Sequence, residues 1–194
     1  MKPKRTFLLA LTFLLLFISS STAFSEDVKD DVWVAEDIEG VGVIASVNGR
    51  ITHGDRFRIR IEETKCQQGE LLFSFYTTED NKDILNLQGK VVEIKFNNEV
   101  INAKILSPQK FLVAYSAIFY LGFESIESVV SYYKDKQTIS AELIDSEDFK
   151  ASDYFDMLEN EWSLNNLESS LKEAQELCRK LKVSNKKEKS DADD

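Results

Sequence analysis

The sequence predicts an α+β fold in which an antiparallel β-sheet packs against a long C-terminal amphipathic helix. Two observations predict it. Short segments of the first two thirds alternate apolar and polar residues with the period of a strand. The last third carries an apolar stripe with the period of a helix. We expect about five to six strands, arranged as a meander or a small barrel, and one or two shorter helices before the long helix.

The first 25 residues have the pattern of a cleaved signal peptide. Three basic residues within the first five positions precede an apolar run over 7–18, and small polar residues follow over 19–25. The apolar run is about 12 residues long, whereas a helix that spans a bilayer needs roughly 20. We therefore expect an exported chain, periplasmic or extracellular, without a stable membrane anchor.

Charge narrows the classes of partner. Removal of residues 1–25 takes away three of the 24 Lys and Arg residues and none of the 34 Asp and Glu residues, which leaves a net charge of −13. Such a chain repels phosphates, so we expect no nucleic-acid partner. A basic protein partner is favoured by electrostatic attraction. The alternative is that the acidic surface serves solubility alone.

The mature chain divides into three parts. Residues 26–40 are acidic and predict a flexible lead that attaches to the body through Trp33. Residues 41–182 predict a single α+β domain. Residues 183–194 are charged and almost free of apolar groups, which indicates a disordered tail.

Six segments have the alternation or β-branched character of strands. They are 41–47, 56–61, 71–77, 91–96, 100–106 and 138–144. Asn48 and Gly49 after the first segment, and Asn97 and Asn98 after the fourth, favour tight turns. The first five segments predict a meander, because their connections are too short for a helical crossover.

Residues 111–121 allow two interpretations. Ser107 and Pro108 suit the N-cap and first position of a helix that would extend to about Leu121. The segment is also almost wholly apolar and aromatic, which is typical of a buried strand. Helix and strand both remain open here, and a shorter helix over 124–133 follows either one.

The C-terminal third has the clearest helical pattern. Six residues at steps of three and four form one stripe: Leu164, Leu167, Leu171, Ala174, Cys178 and Leu181. A helical stretch over 153–162 is expected to precede it and join it. A coiled coil is the alternative, but fewer than three heptads are present, so we expect the stripe to pack on the sheet.

The two cysteines, Cys66 and Cys178, predict one disulfide in an exported chain. The bridge would fasten the long helix to the connection between the second and third predicted strands. In the chain-entropy account, closing a loop of about 100 residues stabilises a fold by roughly 4 to 5 kcal/mol. A free buried thiol and an intermolecular bridge are the alternatives.

Three arginines, Arg56, Arg58 and Arg60, lie on one face of a predicted strand and form a positive stripe on an acidic protein. Guanidinium groups bind carboxylates well, so this stripe is a possible partner-binding site for protein carboxylates or an anionic glycan. The alternative is that the arginines pair across the sheet with Glu70 or Glu93.

No catalytic constellation is visible. His53 is the single histidine, and no nucleophile elbow, phosphate-binding glycine loop or C-x-x-C motif accompanies it. We therefore expect no catalytic residue, no metal site and no cofactor. An acidic segment over 145–156 either binds calcium or places favourable charge before the long helix.

These observations favour a non-catalytic protein-binding module. It would serve as an accessory or chaperone-like component of an envelope assembly, or as an inhibitor of a basic enzyme. Two other classes remain: a hydrolase of cell-wall or surface glycans that uses paired carboxylates, and a secreted factor directed at a host or competitor.

Overall fold

The computed structural model describes residues 31–52, 54–78, 80–111 and 114–192. The predicted signal peptide and His53 lie outside the described residues. Within them the chain forms ten strands, two α-helices and two short 3₁₀ helices. The helices are α1 (Ile126–Tyr133) and α2 (Leu167–Ala192), and the 3₁₀ helices are Lys82–Leu87 and Ala151–Asp153.

All the strands belong to one antiparallel sheet. They are β1 (Val34–Ile38), β2 (Gly42–Asn48), β3 (Arg56–Ile61), β4 (Gln68–Thr77), β5 (Val91–Phe96), β6 (Glu99–Ile105), β7 (Gln109–Phe111), β8 (Ala114–Ser125), β9 (Thr138–Leu143) and β10 (Glu159–Ser163). All six predicted strands are confirmed within a few residues at their ends. The α+β class holds broadly, but the sheet is larger than the sequence predicts.

The order across the sheet is β1-β2-β3-β4-β8-β6-β5-β9-β10, with β7 beside β8. The predicted meander is therefore wrong after β4. Strand β8 lies between β4 and β6, so β4 does not pair with β5. The tight turn at Asn97 and Asn98 is confirmed, since both have positive φ between β5 and β6. Asn48 and Gly49 instead open a longer connection between β2 and β3.

Strand β8 replaces the helix expected from Ser107 to about Leu121, and the strand interpretation is the right one. Its Tyr115 and Phe119 side chains are buried in the core. The ring of Phe119 stacks on Phe73 of β4, with centroids 4.9 Å apart. The conformation of such an apolar segment is decided by the element with which it pairs. Here a ten-residue strand with a matching aromatic face stabilises it as a strand.

A second predicted helix, over 153–162, is also wrong. The segment holds the short 3₁₀ turn and then β10, which pairs with β9. Asn160 and Trp162 alternate inward in β10, and both are buried. Asn166 has a φ of 69° and precedes α2, so β10 and the helix are separate elements.

The sheet curls until β10 reaches the end of β2. A bridge joins Gly49 to Trp162, and the N–H of Arg50 donates to the carbonyl of Glu161 at 2.8 Å. Trp33 is fully buried beside this junction, and its Nε1 donates to the carbonyl of Ser163 at 2.7 Å. The prediction that Trp33 attaches the lead to the body is confirmed.

Part of the predicted flexible lead forms a strand. Val34–Ile38 forms β1, whose five residues each pair with β2. A strand forms here because Trp33 anchors its start and β2 offers a complete backbone ladder.

Helix α2 packs the predicted stripe from Leu167 onward against β1, β2 and β3, whereas Leu164, predicted as the first member of the stripe, lies before the helix begins. Leu167, Leu171, Ala174 and Cys178 are buried. The helix continues to Ala192, through most of the segment for which the sequence predicts a disordered tail. This stretch contains no Gly or Pro, and its Lys and Glu residues have good helix propensity.

The predicted disulfide is present. Cys66 and Cys178 are bonded with their Cα atoms 5.8 Å apart. Two further contacts hold the same loop to α2: Gln175 Nε2 donates to the carbonyl of Cys66 at 3.0 Å, and Lys182 Nζ donates to that of Thr64 at 2.6 Å. The bridge therefore fastens the helix to the β3–β4 connection, as the sequence suggested.

Candidate protein-binding face

The predicted arginine stripe lies on the side of the sheet that is turned away from the core. Arg56, Arg58 and Arg60 point away from the core, while Phe57 and Ile59 between them are fully buried. This is the alternation that the sequence predicted for β3. The structure thus brings the three guanidinium groups onto one surface, with β2 on one side and β4 on the other.

Arg60 is already paired. It lies opposite Glu70 of β4, and its guanidinium donates to Oε2 of that carboxylate. The alternative of cross-strand pairing is confirmed for Glu70. Glu93 lies on β5, which is not a neighbour of β3. Of the three arginines, Arg60 is therefore the least available to bind a carboxylate of a partner.

Arg58 is held in place by its neighbours. Its Nη1 donates to Ser74 Oγ at 3.1 Å. Burial lowers the pKa of its guanidinium below the usual value, and the nearby charge of Arg56 adds to this effect. The group nevertheless keeps its charge at working pH. Arg58 is a half-buried, pre-ordered cation.

Arg56 is the most open member of the stripe. It is exposed, and its Nε donates to Asn48 Oδ1 at 2.9 Å. That single neutral contact leaves donors of its guanidinium directed at solvent, where a carboxylate can accept two parallel hydrogen bonds. Of the three arginines, Arg56 is best placed to bind a partner.

An aromatic pair, half-buried Tyr120 and exposed Phe123, lies on the same face, two strands from the arginines. Tyr120 and Phe123 of β8 pack edge to face with centroids 6.1 Å apart. Phe123 is opposite Glu70, which is itself opposite Arg60. The Phe123 side chain is 51% exposed. We call Arg56, Arg58, Tyr120 and Phe123 the outer face.

A β-bulge places both aromatic rings on one side. Residues three apart in a regular strand point to opposite faces. In β8 the register shifts, so that Leu72 faces Tyr120 and Leu71 faces Gly122, with one residue extra between them. Gly122 adopts a φ of 124°, which a glycine tolerates readily. A glycine inside a strand pattern was the available signal for this bulge.

Asp55 is the most perturbed carboxyl group. It is fully buried at the end of the β2–β3 connection. Its Oδ1 accepts from the N–H of Tyr76 at 2.7 Å, and its Oδ2 accepts from Asn160 Nδ2 at 2.8 Å. Burial raises its pKa from 3.8 to about 7, despite the hydrogen bonds from Asn160 and Tyr76 that lower it.

The position of Asp55 is structural. With no exposed surface and both oxygens engaged by the protein, this carboxyl cannot reach a glycan. The carboxyl does connect the β2–β3 loop to β10, at the place where the sheet closes. It therefore provides no member of the carboxylate pair that the hydrolase alternative requires.

The raised pKa predicts a pH-dependent stability. The folded chain holds a proton on Asp55 that the unfolded chain releases above pH 4, so this contribution to stability is present below pH 4 and is lost as the pH rises toward 7. The full loss would be at most about 4 kcal/mol for a shift of this size. In Asp55→Asn this titration is absent. Urea unfolding of both proteins from pH 4.5 to 8 should show the wild type losing its advantage over the variant as the pH rises.

A constant difference between the two proteins across that range would contradict the prediction. The variant also carries a fixed penalty, because one of the two donors around residue 55 would then face an amide NH₂. Asn160 cannot turn its amide to compensate, since its Oδ1 accepts from the N–H groups of Ile51 and Glu161. Such a buried mismatch costs about 1 to 3 kcal/mol.

Two carboxylates of the acidic segment 145–156 accept hydrogen bonds from neighbouring residues. Asp145 accepts from the N–H and Oγ of Ser152, and Asp156 accepts from the N–H and Oγ1 of Thr78. In the described part of the chain, no three potential metal-ligating side chains cluster. Strand β10 also separates the segment from α2, so the predicted role of charge before the long helix is wrong.

No protein-family model matches the sequence, and neither curated proteins nor solved structures gave a match. Of the helices in the described ranges, none has the length and apolar character needed to cross a membrane.

Proposed function

We propose that the chain is an exported, non-catalytic protein-binding module whose partner contacts the outer face. The observation that carries this proposal is an aromatic pair, half-buried Tyr120 and exposed Phe123, on the same side of the sheet as the arginines and two strands from them. Tyr120 and Phe123 share one sheet surface with Arg56 and Arg58, on a chain of strongly negative net charge.

The composition of the outer face is that of a protein interface. Tyrosine and arginine are enriched among the residues that dominate binding energy, particularly where neighbouring side chains exclude water from them. Arg58 loses little conformational entropy on binding, because Ser74 already orders its guanidinium. The surface therefore supports an apolar contact at Phe123 flanked by hydrogen bonds from the arginines.

Two electrostatic features indicate the chemistry of the partner: the charge of Arg56 and the net charge of the mature chain. Locally, Arg56 favours a carboxylate of the partner. Over longer distances, the net charge of the mature chain favours a partner of basic overall charge and would accelerate their association at low salt. An accessory subunit of an envelope assembly and an inhibitor of a basic enzyme both fit this description.

Site-specific photo-crosslinking tests the proposal. A benzoylphenylalanine in place of Phe123 is expected to capture one defined protein in the native host. The same group in place of Val183 of α2, which is 71% exposed, is the matched control and should not capture it. Identical patterns at both positions, or no adduct at position 123, would reject the outer face as the binding surface.

Affinity for the captured partner should depend on the same residues. Phe123→Ser and Arg56→Ala are each expected to weaken binding by roughly tenfold or more, as residues at the centre of an interface do. Val183→Ser should bind within about twofold of the wild type. Titration calorimetry with the purified partner gives the comparison, and unchanged affinity in both outer-face variants would count against the proposal.

A further inference from the structure

The sheet contains a split between β6 and β8. The two strands pair only at Lys104 with Tyr120 and at Ile105 with Phe119. Beyond that point the bulge at Gly122 turns β8 away. Residues 99–103 of β6 and 121–125 of β8 are therefore not paired with each other, and no other strand in the described part of the chain lies between them.

The edge of β6 along this split is open. The N–H of Ile105 donates to the carbonyl of Lys90, just before β5, at 2.8 Å. The N–H of Leu106 donates to the carbonyl of Ile118 in β8, at 2.7 Å. Because backbone groups alternate along a strand, the N–H and C=O groups of Val100 and Asn102 also point toward β8. Those four groups have no partner among the described residues.

The split has room for one more strand. Helix α1 starts directly after β8, and the Oη of Tyr133 at its far end accepts from Asn97 Nδ2 in the β5–β6 turn at 3.1 Å. Eight residues of helix extend about 12 Å. An added strand needs about 4.8 Å on each side, or about 10 Å in all.

A cavity lies beside the split, under α1. It has a volume of about 680 Å³, and its apolar lining includes Leu71, Phe96, Val129, Tyr132 and Tyr133. In an added strand every second side chain would point to the inner side of the sheet, where this cavity lies. The remaining side chains would lie between Val100 and Phe123 on the outer surface.

The charges around the cavity are mostly negative, the exception being Lys136, whose Nζ lies 3.4 Å from the centroid of the Tyr132 ring. Glu124 and Glu127 line it and are both exposed. Glu99 is exposed at the start of β6, opposite Phe96. Three carboxylates around one apolar cavity favour an occupant that combines apolar and basic side chains.

We propose that a partner protein binds by adding an extended segment that combines apolar and basic residues to the open edge of β6. The segment pairs with Val100 and Asn102 and places its apolar side chains in the cavity beneath α1. This inference rests on the proposed function and specifies its mode of recognition, in which the backbone supplies affinity and the cavity supplies specificity. The outer face, at Phe123, borders the same split.

Hydrogen exchange tests the open edge without any ligand. In the free protein, the amides of Val100 and Asn102 should exchange at least a hundredfold faster than those of Ile101 and Ala103, which face β5. Equal protection of all four amides would overturn the inference. Protection of Val100 that grows with protein concentration would do so too, because a second copy would then occupy the edge.

Selection from a displayed library of random 12-residue peptides tests the occupant. Val100→Pro removes one open N–H without touching the β5–β6 ladder, and Val100→Ala is the matched control that keeps it. We expect selected peptides to combine apolar residues with Lys or Arg. Their affinity should fall at least tenfold in Val100→Pro and stay within threefold in Val100→Ala. Acidic selected sequences, or equal binding by both variants, would overturn the inference.

A change in the peptide avoids any effect of proline on the fold. N-methylation at alternate residues of a selected peptide should abolish binding in one register, and methylation at the other set should spare it. Equal binding of both methylated forms would overturn strand addition. If the native partner crosslinks at position 123 but binds Val100→Pro normally, strand addition fails and the proposed function stands. If instead nothing crosslinks at position 123 but Val100→Pro weakens binding, the open edge is retained as the binding site and the outer face is rejected.

Discussion

Replacing both cysteines with alanine is expected to lower the free energy of unfolding by about 2 to 5 kcal/mol, the range seen when a native bridge is removed. The Cys66–Cys178 bond closes a long loop, with a sequence separation of 112 residues. It also lies where α2 meets the β3–β4 connection. Without it, the helix is held there by its apolar stripe and by the contacts of Gln175 and Lys182.

Urea unfolding with circular dichroism measures the loss, and Arg179→Ala is the matched control. Arg179 is the exposed neighbour of Cys178 on α2, so its removal should change stability by less than about 0.5 kcal/mol. The single change Cys178→Ser should be destabilising as well and should loosen α2. A double variant as stable as Arg179→Ala would contradict the account of how α2 docks.

The elements that the sequence predicts well are those whose pattern is decided locally. Strand β3 alternates without exception, and its bounds are the predicted ones. The stripe of α2 has helical period over five turns, and a hydrophobic face of that period can be buried in only one conformation. In these segments the local pattern and the tertiary contacts require the same structure.

The predictions from sequence fail for segments whose conformation is decided by a neighbouring strand or by the core. Residues 111–121 are apolar on both sides, so neither helical nor strand period stands out. Strand β4 settles the question by pairing with β8, and no local pattern reveals a partner so distant in sequence. Strand β10 is short and rich in polar residues, and it forms because Trp162 completes the aromatic core at the closure of the sheet.

The candidate site was half predictable for the same reason. The arginine stripe follows from alternation within one strand. The aromatic pair does not, because Tyr120 and Phe123 share a face only after the bulge at Gly122, and the open edge of β6 depends on that bulge too. One irregular residue in β8 thus shapes both the outer face and the split.

Gly49→Ala is expected to destabilise the fold by about 3 to 5 kcal/mol, through the hydrogen bonds that close the sheet. A Cβ at position 49 would lie 2.4 Å from Asn160 Nδ2 and 2.6 Å from the carbonyl oxygen of Thr52. Asn160 would have to move, and its bonds to Asp55 and to Thr52 would break. Each buried group left without a partner costs about 1 to 3 kcal/mol.

Gly54→Ala, in the same loop, separates this clash from any general effect of losing a glycine. A Cβ at Gly54 would meet the ring of Tyr76 no closer than 3.5 Å, an ordinary contact, so we expect a change below about 1 kcal/mol. Thermal and urea unfolding of the two variants give the comparison. Because Trp162 bridges to Gly49, the larger loss should come with a change in tryptophan fluorescence. Equal stability of the two alanine variants would mean that the loop can shift away from Asn160 and that the closure of the sheet does not depend on this contact.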